Sequence, residues 1–131
     1  MTQTIFPILR YDKARAAIGW LEKAFGFELV FSVPSEGVTV RHARLMLADN
    51  IIMVGSSRED EASFKSPLIV GVMTQALCVY ISEIDAHYKK AKTAGAEIVI
   101  ALQETDFGTK EYHALDCEGH LWIFTTPAEI S

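Results

Sequence analysis

The chain has 131 residues, half of them hydrophobic and 22% charged, a composition that is ordinary for a globular domain with a sizeable core. Its formal net charge of −5, without a basic stripe of interleaved aromatic residues, argues against a nucleic-acid partner. No apolar run reaches membrane-spanning length, and the opening MTQTIFPILRYD lacks the pattern of a signal peptide, so we expect a cytoplasmic protein without a membrane partner.

The cysteines are too few and too far apart for a metal-binding CxxC pair. Cys78 lies in an apolar run, where we expect it to pack as a small hydrophobic residue, and Cys117 lies in a predicted turn. A disulfide between them is not expected in a reducing compartment.

The first half of the chain is typical of a strand, a helix and three strands. The predicted bounds are 5–10 for the first strand, 13–25 for the helix, and 27–33, 38–47 and 51–54 for the strands that follow. Apolar residues recur at helical spacing from Ala14 to Phe25, with Asp12 as the expected N-cap and Gly26 as a left-handed C-cap. The last two strands form a predicted hairpin across Asp49-Asn50.

The second half repeats this order about seventy residues later. The predicted bounds are 76–81, a helix over 86–94 capped by Asp85, and strands at 96–101, 111–115 and 120–124. The segments AFGFELV and TAGAEIV show the repeat directly. The chain therefore divides into module one at about 4–56, a linker at about 57–74 and module two at about 75–126, and we expect the charged run at 56–66 to be solvated.

The final hairpin turns at the sequence DCEG, residues 116–119, where Gly119 can take a positive φ. A three-residue loop predicts that His113 pairs with Ile123 and Leu115 with Leu121. These four side chains then share one face of the sheet, while Trp122 and Phe124 face the helices.

A doubled strand–helix–three-strand unit that ends in D-x-x-G-H-x-x-x-F resembles the vicinal oxygen chelate superfamily of glyoxalases, bleomycin resistance proteins and dioxygenases. The opening FPILRYDKARAAIGWLEKAFGFEL is similar to its bleomycin-resistance and PhnB-like branch. The resemblance implies an α+β fold in which two tandem βαβββ modules form curled mixed sheets around a cavity. It also implies a single domain that works as a homodimer, for which Trp20 and the strand containing Pro7 are candidate contacts.

The metalloenzymes of this superfamily hold an ion with four side chains, and the resemblance places those positions at Phe6, Met53, Ala76 and Ile123. None of the four supplies a carboxylate, imidazole or thiolate, the donors that divalent ions prefer. We therefore expect no metal and no other cofactor.

Strand parity predicts a soft-walled apolar trough with a few polar groups. Its lining residues, as candidate ligand contacts, are Phe6, Ile8, His42, Arg44, Met46, Met53, Tyr80, His113, Leu115, Leu121 and Ile123. Flexible methionine and aromatic walls suit a planar aromatic or amphipathic ligand, and Arg44 suits an anionic or carbonyl group. His87 and His120 are expected to be structural or solvated.

The sequence thus favours a metal-independent protein that binds and sequesters a drug or aromatic natural product, as in antibiotic resistance of the bleomycin type, with no catalytic residue. One alternative is a glyoxalase-like lyase or isomerase, or a dioxygenase, with a non-standard site. A second alternative is a structural or interaction dimer whose cavity is filled by its own side chains. The missing metal quartet favours binding over catalysis.

Overall fold

The order strand, helix, three strands is present twice in a computed structural model that describes residues 3–60 and 64–127. The elements of module one are β1 (Ile8–Tyr11), α1 (Ala14–Phe25), β2 (Glu28–Val33), β3 (His42–Leu47) and β4 (Asn50–Ser56). The linker holds a short helix, α2 (Pro67–Val70). The elements of module two are β5 (Ala76–Tyr80), α3 (Ile84–Thr93), β6 (Glu97–Glu104), β7 (Lys110–Leu115) and β8 (Leu121–Thr125).

Each module forms its own four-stranded mixed sheet. The strand orders are β1-β4-β3-β2 and β5-β8-β7-β6, with the first pair parallel and the others antiparallel. Ile8 lies opposite Met53 in the first sheet, and Cys78 lies opposite Ile123 in the second. The second pair repeats the first, because Cys78 and Ile123 come seventy positions after Ile8 and Met53, respectively. The predicted α+β fold of two tandem βαβββ modules is confirmed.

One hydrophobic core joins the two modules. The helix α1 turns its apolar stripe inward and ends at Gly26, whose φ of 86° suits glycine. Phe25, at the end of this stripe, packs 5.5 Å from Trp122 and 4.8 Å from Phe124 between ring centroids. Both partners face the helices, as predicted, and are almost completely buried. The core therefore occupies the helix side of both sheets, and each sheet has a second face, which we call its outer face.

The turn of the final hairpin ties module two to the start of module one. The carboxylate of Glu118 accepts hydrogen bonds from the backbone N–H groups of Asp12 (2.6 Å) and Lys13 (2.7 Å) and from the Ser66 hydroxyl (2.5 Å). Glu118 therefore binds the N-cap residue of α1, Lys13, and the residue before it, from more than a hundred residues away. The prediction that Asp12 caps this helix is wrong, because the helix has no side-chain cap of its own.

Asp116, in the same turn, is a buried acceptor. Its Oδ2 atom accepts from the Tyr11 hydroxyl (2.5 Å) and the Trp122 indole N–H (3.0 Å), and its Oδ1 atom accepts from the N–H groups of Glu118 and His120. Burial, with the charge of Asp116 as a lesser cause, raises the pKa of Tyr11 well above its ordinary value, so this hydroxyl keeps its proton and donates. Four hydrogen bonds offset the cost of burying this side chain.

The first hairpin turns one residue earlier than predicted. Leu47 lies opposite Asn50 and Leu45 opposite Ile52, so the turn residues are Ala48 and Asp49, and Ala48 takes a positive φ of 53°. A turn displaced by one residue changes every partner by two positions, and side chains alternate with a period of two. The predicted turn at Asp49-Asn50 was wrong, but the face on which each strand residue was predicted to lie is unaffected.

Other local predictions also differ from the structure, including the first strand, which was predicted at 5–10 and lies at Ile8–Tyr11. The strand predicted over 38–47 begins only at His42, and α3 begins at Ile84 after Glu83, without a side-chain cap from Asp85. Cys78 is exposed rather than packed.

The charged run at 56–66 was predicted to be solvated, but it contains the buried Ser66, which caps α2 at Leu68. Residues 61–63 of the linker lie outside the described residues.

Candidate functional site

The outer face of the first sheet places a row of predicted trough residues side by side. Ile8 lies opposite Met53, Met53 opposite Arg44, and Arg44 opposite Phe31. The Arg44 guanidinium carbon is 5.7 Å from the ring centre of Phe6 and 5.8 Å from that of Phe31. This face therefore holds one cation between two aromatic rings, beside apolar side chains.

The other two predicted residues of this sheet extend the same face. The His42 and Phe31 rings lie 5.7 Å apart between centroids, and Met46 lies opposite Ile51. All six predicted residues of the first sheet, Phe6, Ile8, His42, Arg44, Met46 and Met53, thus lie on or beside its outer face.

Phe31 was not predicted, and a β-bulge explains why. Leu29 lies opposite Leu45 on the core side, but the pairing shifts before Phe31, which then lies opposite Arg44. Simple alternation would place Leu29 and Phe31 on the same face. No local signal in the sequence marks this bulge, so strand parity could not find Phe31.

The outer face of the second sheet carries the remaining predicted residues. His113 lies opposite Ile123 and Leu115 opposite Leu121, as the sequence predicted. The His113 Nε2 atom is 2.8 Å from a carboxylate oxygen of Glu111, two residues earlier on the same strand. Glu111 was missed, although its spacing from His113 could have indicated it.

Two cavities lie where the edges of the two sheets meet. One, of about 550 Å³, runs from Tyr80 and Ile51 to the core residue Trp122. The other, of about 470 Å³, contains Ile8 of the first sheet and Leu121 of the second beneath linker residues such as Phe64. Of the eleven predicted ligand contacts, Tyr80, Ile8 and Leu121 line these two cavities. The other eight, Phe6, His42, Arg44, Met46, Met53, His113, Leu115 and Ile123, line neither.

The thiols near these faces are poorly suited to nucleophilic chemistry. Cys78 is exposed overall, but partial desolvation, reinforced by the charge of Glu111, raises the pKa of its thiol above its ordinary value. Burial also raises the pKa of Cys117 to about 12, with Asp116 and Glu118 as lesser causes. The thiolate is the reactive form of a cysteine, and these raised pKa values keep both cysteines as protonated thiols at neutral pH.

The remaining histidines are bound within the protein framework. His120 is buried and its Nε2 atom contacts the Arg10 carbonyl oxygen at 2.9 Å. His87 lies between the Phe25 carbonyl oxygen (2.9 Å from Nε2) and the Tyr112 hydroxyl (2.6 Å from Nδ1). These contacts indicate that both histidine side chains have structural roles.

The positions that hold metal in related enzymes do not suit an ion here. Phe6, Ala76 and Ile123 have no donor atom, and the thioether of Met53 is a poor ligand for hard cations. Within residues 3–60 and 64–127, no three His, Cys, Asp or Glu side chains cluster in a way that could hold a metal ion. Over the same ranges, no helix has the length and hydropathy of a membrane span.

Comparison with known proteins places this geometry in context. A model of the family described as the Glyoxalase/Bleomycin resistance protein/Dioxygenase superfamily matches residues 4–124. The chain is 32% identical to TioX from Micromonospora sp. ML1, whose crystal structure superposes with a TM-score of 0.77 over 98% of this chain and 99% of that one.

More distant proteins match as well. A superfamily member from Sphaerobacter thermophilus shares the fold at 16% identity, with a TM-score of 0.73 over 97% of this chain and 98% of its own. An uncharacterized protein of Mycobacterium tuberculosis H37Rv is 28% identical over 123 residues, which are 92% of this chain and 72% of that protein.

Proposed function

Because the chain belongs to the Glyoxalase/Bleomycin resistance protein/Dioxygenase superfamily, we propose that it binds and sequesters a small planar or amphipathic molecule without a metal ion. The superfamily hosts several chemistries on one fold, so the proposal depends on the residues of the site rather than on the family. Antibiotics and other aromatic natural products are the ligand class that such a protein would take.

The observation that carries the proposal is the apolar character of the outer faces. Ile8 is 49% exposed, Phe31 44% and Tyr80 66%, although they lie on the regular strands of a protein with a well-packed core. Exposed apolar side chains grouped on the face of a sheet are typical of ligand-binding and protein-binding surfaces. The few polar groups among these residues, Arg44 and His113, would orient a ligand.

A two-fold dimer is part of the proposal. Both outer faces carry exposed apolar side chains, and β2 and β6 are edge strands that pair on one side only within the described residues. In such a dimer, the outer face of the second sheet of one copy would pack against the outer face of the first sheet of the other copy. This packing would bring together the predicted residues that line neither cavity. Homodimers of this kind most often have two-fold symmetry.

The test is binding of a panel of aromatic antibiotics to the purified protein, measured by calorimetry, with two variants. We expect at least one compound to bind at micromolar or lower concentration without being converted. Met53→Glu should weaken that binding at least tenfold, or about 1.4 kcal/mol, because it buries a carboxylate against an apolar ligand.

Val38→Glu is the matched control, since it adds the same charge on an exposed residue of the loop between β2 and β3, outside the strands. Equal affinity in the wild type and in Met53→Glu would refute the assignment of the site to this face. Failure of every compound in the panel would refute the proposed ligand class.

One observation favours an enzyme as the second candidate, a lyase or isomerase without metal. The carboxylate of Glu111 can hold His113 with a proton on Nε2, which leaves Nδ1 to accept a proton from a bound molecule. Mass spectrometry of each compound after incubation with stoichiometric protein distinguishes the two functions. Conversion that is lost in His113→Gln would support the enzyme, and unchanged compound would support sequestration.

A further inference from the structure

In the part of the chain that the structure describes, the Arg44 guanidinium has no hydrogen-bond or ion-pair partner that accounts for its position. Its Nε atom is buried and makes no hydrogen bond within residues 3–60 and 64–127. The ion pairs found in that part of the chain join Lys110 to Asp85 and His113 to Glu111, and neither involves Arg44. The sequence contains 17 acidic residues and carries a net charge of −5, so carboxylates are plentiful, yet within the described ranges none forms an ion pair with this guanidinium.

A purely structural role for Arg44 does not explain why its guanidinium lacks these partners. A buried donor without an acceptor costs free energy, which structural arginines avoid by donating to backbone carbonyl oxygens or carboxylates. Arg15 shows the usual pattern, because its guanidinium donates to the carbonyl oxygens of Gly37 and Pro34 and to the Ser32 hydroxyl. Arg44 faces Phe6 and Phe31 instead, whose rings attract its charge but accept no conventional hydrogen bond.

The surroundings of Arg44 define the chemistry of the missing partner. A guanidinium is a planar fork of donors that suits two oxygen atoms of one anionic group. Met53 lies opposite Arg44 in the sheet and Ile8 lies opposite Met53 on the next strand, and both offer only apolar contact. A molecule that satisfies both would carry an acidic group at one end and an apolar or aromatic body at the other.

We propose that Arg44 is the binding residue for the anionic group of the ligand, which is an organic acid with an apolar aromatic body. This inference rests on the proposed function, since it assumes that the outer face of the first sheet binds a small molecule. It goes further in naming the ligand class and the residue that selects it.

Two fluorescent probes with the same skeleton test the inference, namely 8-anilinonaphthalene-1-sulfonate and the uncharged N-phenyl-1-naphthylamine. They differ in the sulfonate, whose oxygens suit a guanidinium. We expect the wild type to bind the sulfonate probe at least tenfold more tightly than the neutral probe. Arg44→Gln should lower the affinity for the sulfonate probe at least tenfold and change that for the neutral probe less than twofold.

Arg41→Gln is the matched control, because it removes the same charge from an exposed residue three positions away and should leave both affinities unchanged. Met53→Glu is a second variant in case Arg44→Gln does not fold. It places a carboxylate opposite Arg44 and should therefore lower the affinity for the sulfonate probe more than the affinity for the neutral probe.

The outcomes separate this inference from the proposed function. If Arg44→Gln lowers the affinity for both probes equally, or lowers neither, the assignment of Arg44 is overturned but the proposed binding face is not. No binding of either probe to the wild type would overturn both. Selective loss of the sulfonate probe in Arg44→Gln, but not in Arg41→Gln, is the result that we expect.

Discussion

At the scale of single residues, Glu118 links three separate parts of the chain. It is buried, and it satisfies two backbone N–H groups at the start of α1 together with the Ser66 hydroxyl. The first N–H groups of any helix lack partners within the helix and need an acceptor from elsewhere. One side chain of module two therefore completes a helix of module one and holds the linker against both.

Glu118→Ala should lower the free energy of unfolding by about 2–4 kcal/mol, since it removes a helix cap and strands a buried hydroxyl. Urea denaturation followed by circular dichroism measures the change. Glu118→Gln keeps one oxygen acceptor and should lose less, and Glu36→Ala, in an exposed loop, should have almost no effect. A loss below about 0.5 kcal/mol in Glu118→Ala would contradict the capping assignment.

At the scale of secondary-structure elements, His87 connects α1 to the second sheet. The imidazole stands on α3, contacts the last carbonyl group of α1 at Phe25 and reaches the Tyr112 hydroxyl on β7. A carbonyl oxygen only accepts, so Nε2 carries the proton and Nδ1 accepts from Tyr112 in the neutral ring. Burial lowers the pKa of His87 below its ordinary value, so the folded protein holds this ring neutral.

This pKa shift predicts that the protein loses stability in mild acid. Above a pH of about 6.5 the ring is neutral in both the folded and the unfolded chain, and its contribution is fully present. As the pH falls below that value, the unfolded chain binds a proton that the folded chain does not, and stability declines until the lowered pKa is passed. Thermal midpoints measured from pH 8 to pH 5 should fall more steeply in the wild type than in His87→Gln. Parallel curves would show that another group is responsible.

At the scale of the whole molecule, the two sheets use their faces differently. Their inner faces meet the helices in one shared core, whereas their outer faces expose large apolar side chains. A cost in solubility is expected for such surfaces unless something covers them. A second copy of the chain and a small ligand are the partners proposed above.

Analytical ultracentrifugation at micromolar concentration should therefore show a dimer. Dilution should lower the thermal midpoint, because dimer formation stabilises the folded state by mass action. A species with the mass of one 14.5 kDa chain at these concentrations would contradict the proposed dimer.

The apolar residues at the positions that hold metal in related enzymes lead to a separate prediction for the whole protein. Elemental analysis should find less than a stoichiometric amount of divalent metal, and EDTA should leave the thermal midpoint unchanged because no binding free energy is lost. One tightly bound zinc, nickel, manganese or iron ion per chain would contradict this prediction.

The sequence by itself determined the properties that follow from local periodicity. The repeat at seventy residues predicted two equivalent modules, and the alternation of side chains predicted which residues of β3, β4, β7 and β8 face the core. The face prediction survived a misplaced turn because the error changed each partner by two residues, a full period of the strand. Gly26 and Gly95, both with positive φ, mark helix ends for an equally local reason.

Only the tertiary structure decided the contacts between distant segments. Glu118 replaces the expected cap Asp12 because folding brings the final turn to the start of α1, and no local pattern records that approach. The bulge before Phe31 likewise depends on how β2 pairs with β3, and it alone places a second aromatic ring beside Arg44. Helix and strand patterns arise from neighbours in the chain, whereas caps across modules and the surroundings of a binding residue arise from packing that the whole chain must complete.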